Sequence, residues 1–295
     1  MPDDFMRNNC IPSSDLLRKS RVIARETSLS KLASDSALYS AISYHLSAPG
    51  SETRAAFCLS ASIALGLNSD AAVRLAASVE TLHNASLIQD DLQDQDELRR
   101  DRPTIWKKFG QDIAINTTDL LLANAFELVV SAGPESALEL VSIMNQAISR
   151  TLQGQSKDLT FGAKNNVNEA IKIAKEKSGP FFSLSLQLPL VLKGLSTFIE
   201  TAGEAGSAFG IGYQIFDDIK DQEQDRMCSN LSNMAQLIDD NETTKTSASP
   251  CTTKGLAYQY LNYAAQKADA LPNGCGKLLK LKCSNLLREL DREAA

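Results

Sequence analysis

Residues 86–104 read SLIQDDLQDQDELRRDRPT. Five acids fall within eight positions (Asp90, Asp91, Asp94, Asp96, Glu97), and three arginines follow at once, Arg99, Arg100 and Arg102. Adjacent ionised carboxylates repel unless a cation shares them. The run is therefore either a solvated helix end or a place built for positive charge. Upstream, residues 71–88 (AAVRLAASVETLHNASLI) repeat apolar side chains at three- and four-residue steps, the period of a helix. On that helix Asp90 and Asp94 share a face, Asp91 lies beside them, and His83 stands two turns back on the same side. Because the helix is apolar, its acidic end is expected near a core.

A second such place lies at residues 210–225, GIGYQIFDDIKDQEQD. Asp217, Asp218 and Asp221 repeat the i, i+1, i+4 spacing, again closing an apolar helix, with Gln214 and Gly210 behind them. One acidic run of this kind most simply caps or solvates a helix. Two of them, each with arginine or glutamine at hand, point to chemistry. Mg²⁺ takes hard oxygen ligands and commonly binds one or two carboxylates together with substrate phosphates. Arg99, Arg100 and Lys177 offer the remaining positive charge for a diphosphate. Such a clamp stabilises negative charge on a departing diphosphate.

The rest of the chain is consistent with a helical scaffold. Apolar residues make up 43% of the 295, enough for a sizeable core, and the net charge of −6 argues against nucleic acid as a partner. Helical periodicity is expected around residues 55–66, 70–94, 112–131 and 134–160, with breaks at Pro49-Gly50, Arg102-Pro103 and Gly133-Pro134. No segment alternates with period two, so no strand is expected. Residues 222–254 are polar and rich in Ser, Thr and Asn, which predicts a disordered loop with one short helix at SNMAQLI. Residues 1–30 form an N-terminal segment without a secretory h-region. The longest apolar run, PFFSLSLQLPLVL, is too short and interrupted to span a bilayer. Six scattered cysteines and only two histidines fit reduced thiols and no zinc site. A single all-α domain over 1–295, in the cytoplasm, is the expectation.

Together these motifs resemble the trans-isoprenyl diphosphate synthases, the polyprenyl synthetase family that includes farnesyl and geranylgeranyl diphosphate synthases. LHNASLIQDDLQDQDELRRDRPT is similar to the family's DDxxD and RRGxPT, and GYQIFDDIKDQ to its FQxxDDxxD. NTTDLLLANAFELV, LQGQSKDL and KEKSGPFF stand where the family has GDxLLAxAFE, GQxxDL and KTGxLF, so the likeness runs from about residue 35 to 290. It implies an isoprenoid-synthase-type helical bundle around a central cavity, usually a homodimer, with three Mg²⁺ per site. Asp90, Asp94 and Asp217 would be metal ligands, with Asp91, Asp218 and Asp221 completing the motifs. Arg99, Lys177 and Gln214 would hold the allylic diphosphate, with Ser178 in place of the family's threonine and Gln155 and Asp158 from the GQxxDL segment. His83, Arg100 and Arg54 would meet isopentenyl diphosphate. Without such a motif, His83 and Lys177 would pass for an ordinary helix histidine and a surface lysine, and Trp106 and Tyr213 for core residues.

The resemblance also implies that product length is read from the helix entering the first motif. Ala85, five residues before Asp90, replaces a blocking aromatic, with Asn84 before it and Leu82 further down; an open cavity and a product of about C20 or longer are expected. Departures cluster in the acceptor half. In APGSETRAAF, Gly50 and Arg54 keep the family's GGKRxRP pattern, but Ser51 and Glu52 replace a lysine and an arginine. The glycine of RRGxPT is Asp101, and the family's GSDxxxGKxT is absent from CSNLSNMAQLID. Three outcomes stay open: elongation with isopentenyl diphosphate, ionisation followed by cyclisation, water or a non-isopentenyl acceptor in the manner of a terpene synthase, and a non-catalytic regulatory subunit.

Overall fold

The computed structural model describes residues 11–48, 50–160, 167–220 and 253–292. Helices dominate it: α1 (Ser14–Leu29), α2 (Ala37–Leu46), α3 (Thr53–Ala64), α4 (Ser69–Gln93), α5 (Ile105–Phe109), α6 (Gln111–Ala132), α7 (Ala137–Asp158), α8 (Val167–Lys177), α9 (Gly179–Leu192), α10 (Ile199–Lys220), α11 (Thr253–Asp269) and α12 (Lys277–Arg292). The all-α expectation is met. The chain divides into two compact units, Met1–Ile143 with Leu188–Ser196, and Met144–Gln187 with Thr197–Ala295, the boundaries falling inside α7 and α9.

In the first unit α4 is the central element. Asn68 caps it, its side chain accepting from Ala71 N at 2.8 Å, which satisfies one of the orphan amides of the first turn. Its buried face carries Ala72, Leu75, Ala76, Val79, Leu82, Ala85, Ile88 and Asp91. Small residues let α6 approach closely, and Ser78 Oγ donates to the Ala125 carbonyl at 2.7 Å, which satisfies a buried hydroxyl across the contact. Helix α6 is long and apolar enough to cross a membrane by length and composition alone. Its Ala114, Thr117, Leu121, Asn124, Ala125, Leu128 and Val129 are nonetheless buried inside this unit.

The second unit is held by a glycine stripe on α10. A Cβ added at Gly206 would lie 2.3 Å from Ser183 Cα, and one at Gly210 would lie 2.9 Å from Gly179 Cα. Only the missing side chains let α9 and α10 pack backbone to backbone. Phe182, Phe209 and Tyr213 then close an aromatic cluster, Phe182 and Phe209 edge to face at 4.9 Å.

Three expectations change. Residues 14–29 of the N-terminal segment form α1, whose Ser13 cap accepts from Leu16 N. Leu98–Arg99 and Arg102–Pro103 pair as a minimal antiparallel hairpin, too short for a period-two pattern to register. Thr253 and Lys254 open α11 rather than ending a loop, while the short helix expected at 232–238 lies outside the described residues.

Candidate active site

The first aspartate motif straddles the end of α4. Asp94 is its C-cap, and its N–H donates to the Asp90 carbonyl at 2.8 Å. The three acids sit in different environments. Asp90 is half-buried and Asp94 exposed, whereas Asp91 is 1% exposed. Asp91 Oδ1 takes Arg99 Nε and Nη2, both at 2.6 Å. Burial lifts the Asp91 carboxyl to about 6, against the pull of Arg99. The ion pair thus fixes a guanidinium beside the motif.

The hairpin after α4 explains why Arg99 and Arg100 diverge. Arg100 and Asp101 occupy its two corner positions with φ of 54° and 59°, the left-handed pair that a tight two-residue hairpin demands. Asp101 holds this conformation at some backbone cost, where a glycine would adopt it freely. Thr104 Oγ1 and Trp106 Nε1 both donate to the Asp96 carbonyl, at 2.7 and 2.8 Å, and Tyr44 Oη donates to the Pro103 carbonyl at 2.9 Å. Trp106 is only partly buried, packed on the core cluster.

Beside the hairpin, Arg54 of α3 donates to His83 Nε2 at 3.0 Å. A guanidinium can only donate, so Nε2 carries a lone pair and the ring is neutral with its proton on Nδ1. Burial, then Arg54, Arg100 and Arg99, press the His83 pKa well below its usual value. His83 therefore orients Arg54 and adds no charge of its own. Below it, desolvation raises the carboxyl of Glu80, a group that sequence reasoning missed. The other histidine, His45, was also missed. Asn84 donates through Nδ2 to the Glu80 carbonyl at 2.8 Å, so its Oδ1 must accept from His45 Nε2 at 2.9 Å. Burial depresses the His45 pKa to about 4.

Of the residues expected to read product length, Asn84 thus belongs to a polar relay. Leu82 is buried, and Ala85 lies in a packed cluster with Ala41, Ile42, Ile88, Ile105, Ala114 and Leu121.

The second unit repeats the division of labour. In α10, Asp217 is half-buried, whereas Asp218 is 6% exposed and accepts from Gln214 Nε2 at 2.8 Å. Asp221 lies outside the described residues. At the end of α8, Lys177 Nζ donates to Asp158 Oδ2 of α7 at 2.7 Å, and Lys157 pairs with Glu176. Gly154 permits this junction, since a Cβ there would lie 2.4 Å from Lys177 N. Gln155, 3% exposed, has both side-chain atoms buried without a hydrogen-bond partner. A native protein rarely leaves such an amide unmatched, and a polar ligand is one remedy. Ser178 follows directly, half-buried between α8 and α9.

Among the described residues no three His, Cys, Asp or Glu side chains gather into a metal-holding group. Sparse carboxylate oxygens suit Mg²⁺ better than a closed cage does, because Mg²⁺ keeps positions for water and phosphate.

The polyprenyl synthetase family profile covers residues 35–253. A geranylgeranyl pyrophosphate synthase of Geoglobus acetivorans is 34% identical over 189 residues, 62% of this chain and 59% of that protein. A geranylgeranyl diphosphate synthase of Methanosarcina mazei is 30% identical over 209 residues, 69% of this chain and 64% of that one. The chain thus spans about six-tenths of the length of these relatives. In fold it is similar to the Geoglobus acetivorans geranylgeranyl pyrophosphate synthetase structure, at TM-score 0.80 and 24% identity, covering 92% of this chain and 99% of that one. A geranyltranstransferase structure from Thermotoga maritima gives TM-score 0.77 at 21% identity, covering 94% and 98%. By the family profile that covers its two aspartate motifs, this chain belongs to the polyprenyl synthetase family.

Proposed function

We propose that the chain is a Mg²⁺-dependent prenyltransferase that ionises an allylic diphosphate and joins it to isopentenyl diphosphate, giving a product of about C20 or longer. One observation carries this reading. In each motif the first acid is solvent-accessible, while the second is buried and ties down a nitrogen donor: Asp91 holds Arg99, and Asp218 holds Gln214. A merely solvated acidic helix end has no reason to divide its carboxylates so, twice.

Asp90, Asp94 and Asp217 would hold Mg²⁺, which when bound neutralises charge on a departing diphosphate. The chain's own groups supply the rest. Arg99 presents a rigid guanidinium to phosphate oxygens. Lys177 is a point charge already restrained by Asp158, and Gln214 and Ser178 are neutral donors. Preorganised donors lower the barrier because they need not reorient as charge develops. Both histidines have depressed pKa values, which makes them weak bases, and both Nε2 atoms are already engaged, so the released diphosphate would accept the last proton. A homodimer in the cytoplasm completes the proposal.

A second reading is favoured by Ser51 and Glu52. The same ionisation could end in cyclisation, water capture or a different acceptor; a non-catalytic subunit has less support, since it has no need of both motifs. Incubation of the pure protein with Mg²⁺ and geranyl, farnesyl or geranylgeranyl diphosphate, with and without isopentenyl diphosphate, separates the three. Longer diphosphates that require isopentenyl diphosphate support elongation. Hydrocarbon or alcohol from the allylic substrate alone supports the second reading, and inertness of folded protein refutes both.

A further inference from the structure

Resting on that reading, the hairpin that carries Arg99 and Arg100 must hold both guanidiniums still while a diphosphate binds. Its first arm is tied down by the ion pair of Arg99 with Asp91. The second arm, Arg102–Pro103, is seated on one residue of α2. Tyr44 Oη donates to the Pro103 carbonyl at 2.9 Å, and the Arg102 guanidinium lies over the Tyr44 ring, 4.1 Å from its centroid. Arg102 Nη2 also donates to the Tyr44 carbonyl, and both Nη atoms donate to Ser47 Oγ, each at 3.3 Å. These contacts close the C-terminus of α2, since Ser47 Oγ in turn donates to the Tyr44 carbonyl at 2.8 Å. Further along the same segment comes Gly50, where an added Cβ would lie 3.1 Å from Arg100 Nη2. The ring is anchored inward as well: it packs on the core cluster of Ala85, Ile88 and Ile105 and meets Phe109 edge to face at 5.7 Å.

We propose that Tyr44 is a positioning residue for the reaction: it latches the hairpin to α2 through an uncharged surface, so that Arg99 and Arg100 meet the diphosphate held in place. The chemistry of the latch is the reason. Among the described residues no carboxylate pairs with Arg102, nor with Lys108 of α5, whose Nζ lies 3.8 Å from the same ring centroid. A carboxylate in this position would fix the arm equally well, but it would cancel part of the positive field that a diphosphate needs. A ring face, a carbonyl and a hydroxyl fix it and leave that field intact. The phenol hydrogen bond corresponds to about a fivefold change in an equilibrium, and the two cation contacts of the ring to about a further tenfold.

Three variants test this. Tyr44→Phe keeps the ring and loses the Pro103 bond, Tyr44→Leu loses both, and Arg102→Gln removes the guanidinium while leaving Tyr44 in its core seat. Each is digested with trypsin under native conditions, titrated calorimetrically with inorganic diphosphate and Mg²⁺, and melted. Cleavage after Arg99 and Arg100, read by mass spectrometry, reports opening of the hairpin. It should quicken about fivefold in Tyr44→Phe and about 50-fold in Tyr44→Leu. Inorganic diphosphate should bind about fivefold more weakly to Tyr44→Leu, with Tyr44→Phe between it and the wild type. Arg102→Gln should resemble Tyr44→Leu, and the two together should add little, because they break one contact. A lower melting temperature with wild-type cleavage and binding would overturn the proposal, for Tyr44 would then serve the core alone. Faster cleavage with unchanged diphosphate binding would overturn it too, since the latch would not reach the site. If Tyr44→Leu fails to fold, Tyr44→Phe and Arg102→Gln, which keep an aromatic ring in the core, decide between these outcomes. Absence of allylic diphosphate turnover in the wild type would refute the proposed reaction, while cleavage and diphosphate binding would still decide the role of Tyr44.

Discussion

Replacing Asp91 by asparagine separates two things the aspartate does. The carboxylate is 1% exposed, and burial lifts it from 3.8 to about 6 despite Arg99. At about 1.4 kcal/mol per pKa unit, two units represent a cost of about 3 kcal/mol for keeping Asp91 ionised in the fold at neutral pH. A raised carboxyl stabilises the folded protein relative to the unfolded chain below pH 3.8, and that advantage is lost as pH rises through about 6. Asparagine has no such cost, but it forfeits the charge-assisted bond to Arg99 at 2.6 Å. Arg99 is one-third exposed and can turn to water, so its loss of a partner is cheaper than the ~3–5 kcal/mol of a fully buried broken pair. The pull of Arg99 is already contained in that net shift, so at pH 7 Asp91→Asn is expected to be no less stable than wild type and up to about 3 kcal/mol more stable. At pH 4, where the wild-type acid is protonated too, the two proteins should be about equally stable. Binding has no such compensation: Arg99 is no longer aimed, and the KM for the allylic diphosphate should rise about 10- to 100-fold, the loss of one charge-assisted contact. Urea unfolding at pH 4 and 7, with KM at pH 7, provides the measurement. A loss of more than 3 kcal/mol at pH 7 with an unchanged KM would refute the reasoning, for Asp91 would then be structural only.

Three further outcomes are expected. Gly206→Ala places a methyl 2.3 Å from the Ser183 backbone and should destabilise the second unit by about 3 kcal/mol, read as a fall in melting temperature; an unchanged value would show that α9 and α10 part easily. His45 stays neutral down to about 4, so it contributes stability that is present above pH 6.5 and lost as pH falls towards 4, about 3 kcal/mol in all; His45→Gln should flatten that limb of the stability profile, while His83 keeps a slope of the same sign. Ala85→Phe should shorten the product and cost about 1–3 kcal/mol through overpacking against Ala41 and Ala114, and products of unchanged length would remove Ala85 from any role in size selection.

The helical scaffold was readable because α4, α6 and α10 repeat their apolar residues over five or more turns, and the two acidic runs stand out against them. What the sequence hid was mostly non-local. The resemblance set Asp90 apart from Asp91 only as a metal ligand; that Asp91 is buried against Arg99 while Asp90 meets solvent is seen only in the fold. Glu52 looks like a simple loss of charge until α1 brings Arg21 to it across 31 positions. Helix α1 itself escaped because its LLRKSRVIARETSL stretch is polar around most of its circumference. The hairpin at 98–103 was missed because two-residue strands have no period. His45 and Glu80 carried no motif, and their burial beside four arginines is a property of the folded unit alone.

The proposed chemistry rests most directly on whether the two aspartate motifs act in ionisation. Diphosphate release from geranylgeranyl or farnesyl diphosphate with Mg²⁺ should be measurable for the wild-type protein and should fall at least about 100-fold in Asp90→Asn and in Asp217→Asn, each with an unchanged circular dichroism spectrum. Release at wild-type rates in either folded variant would contradict the assignment.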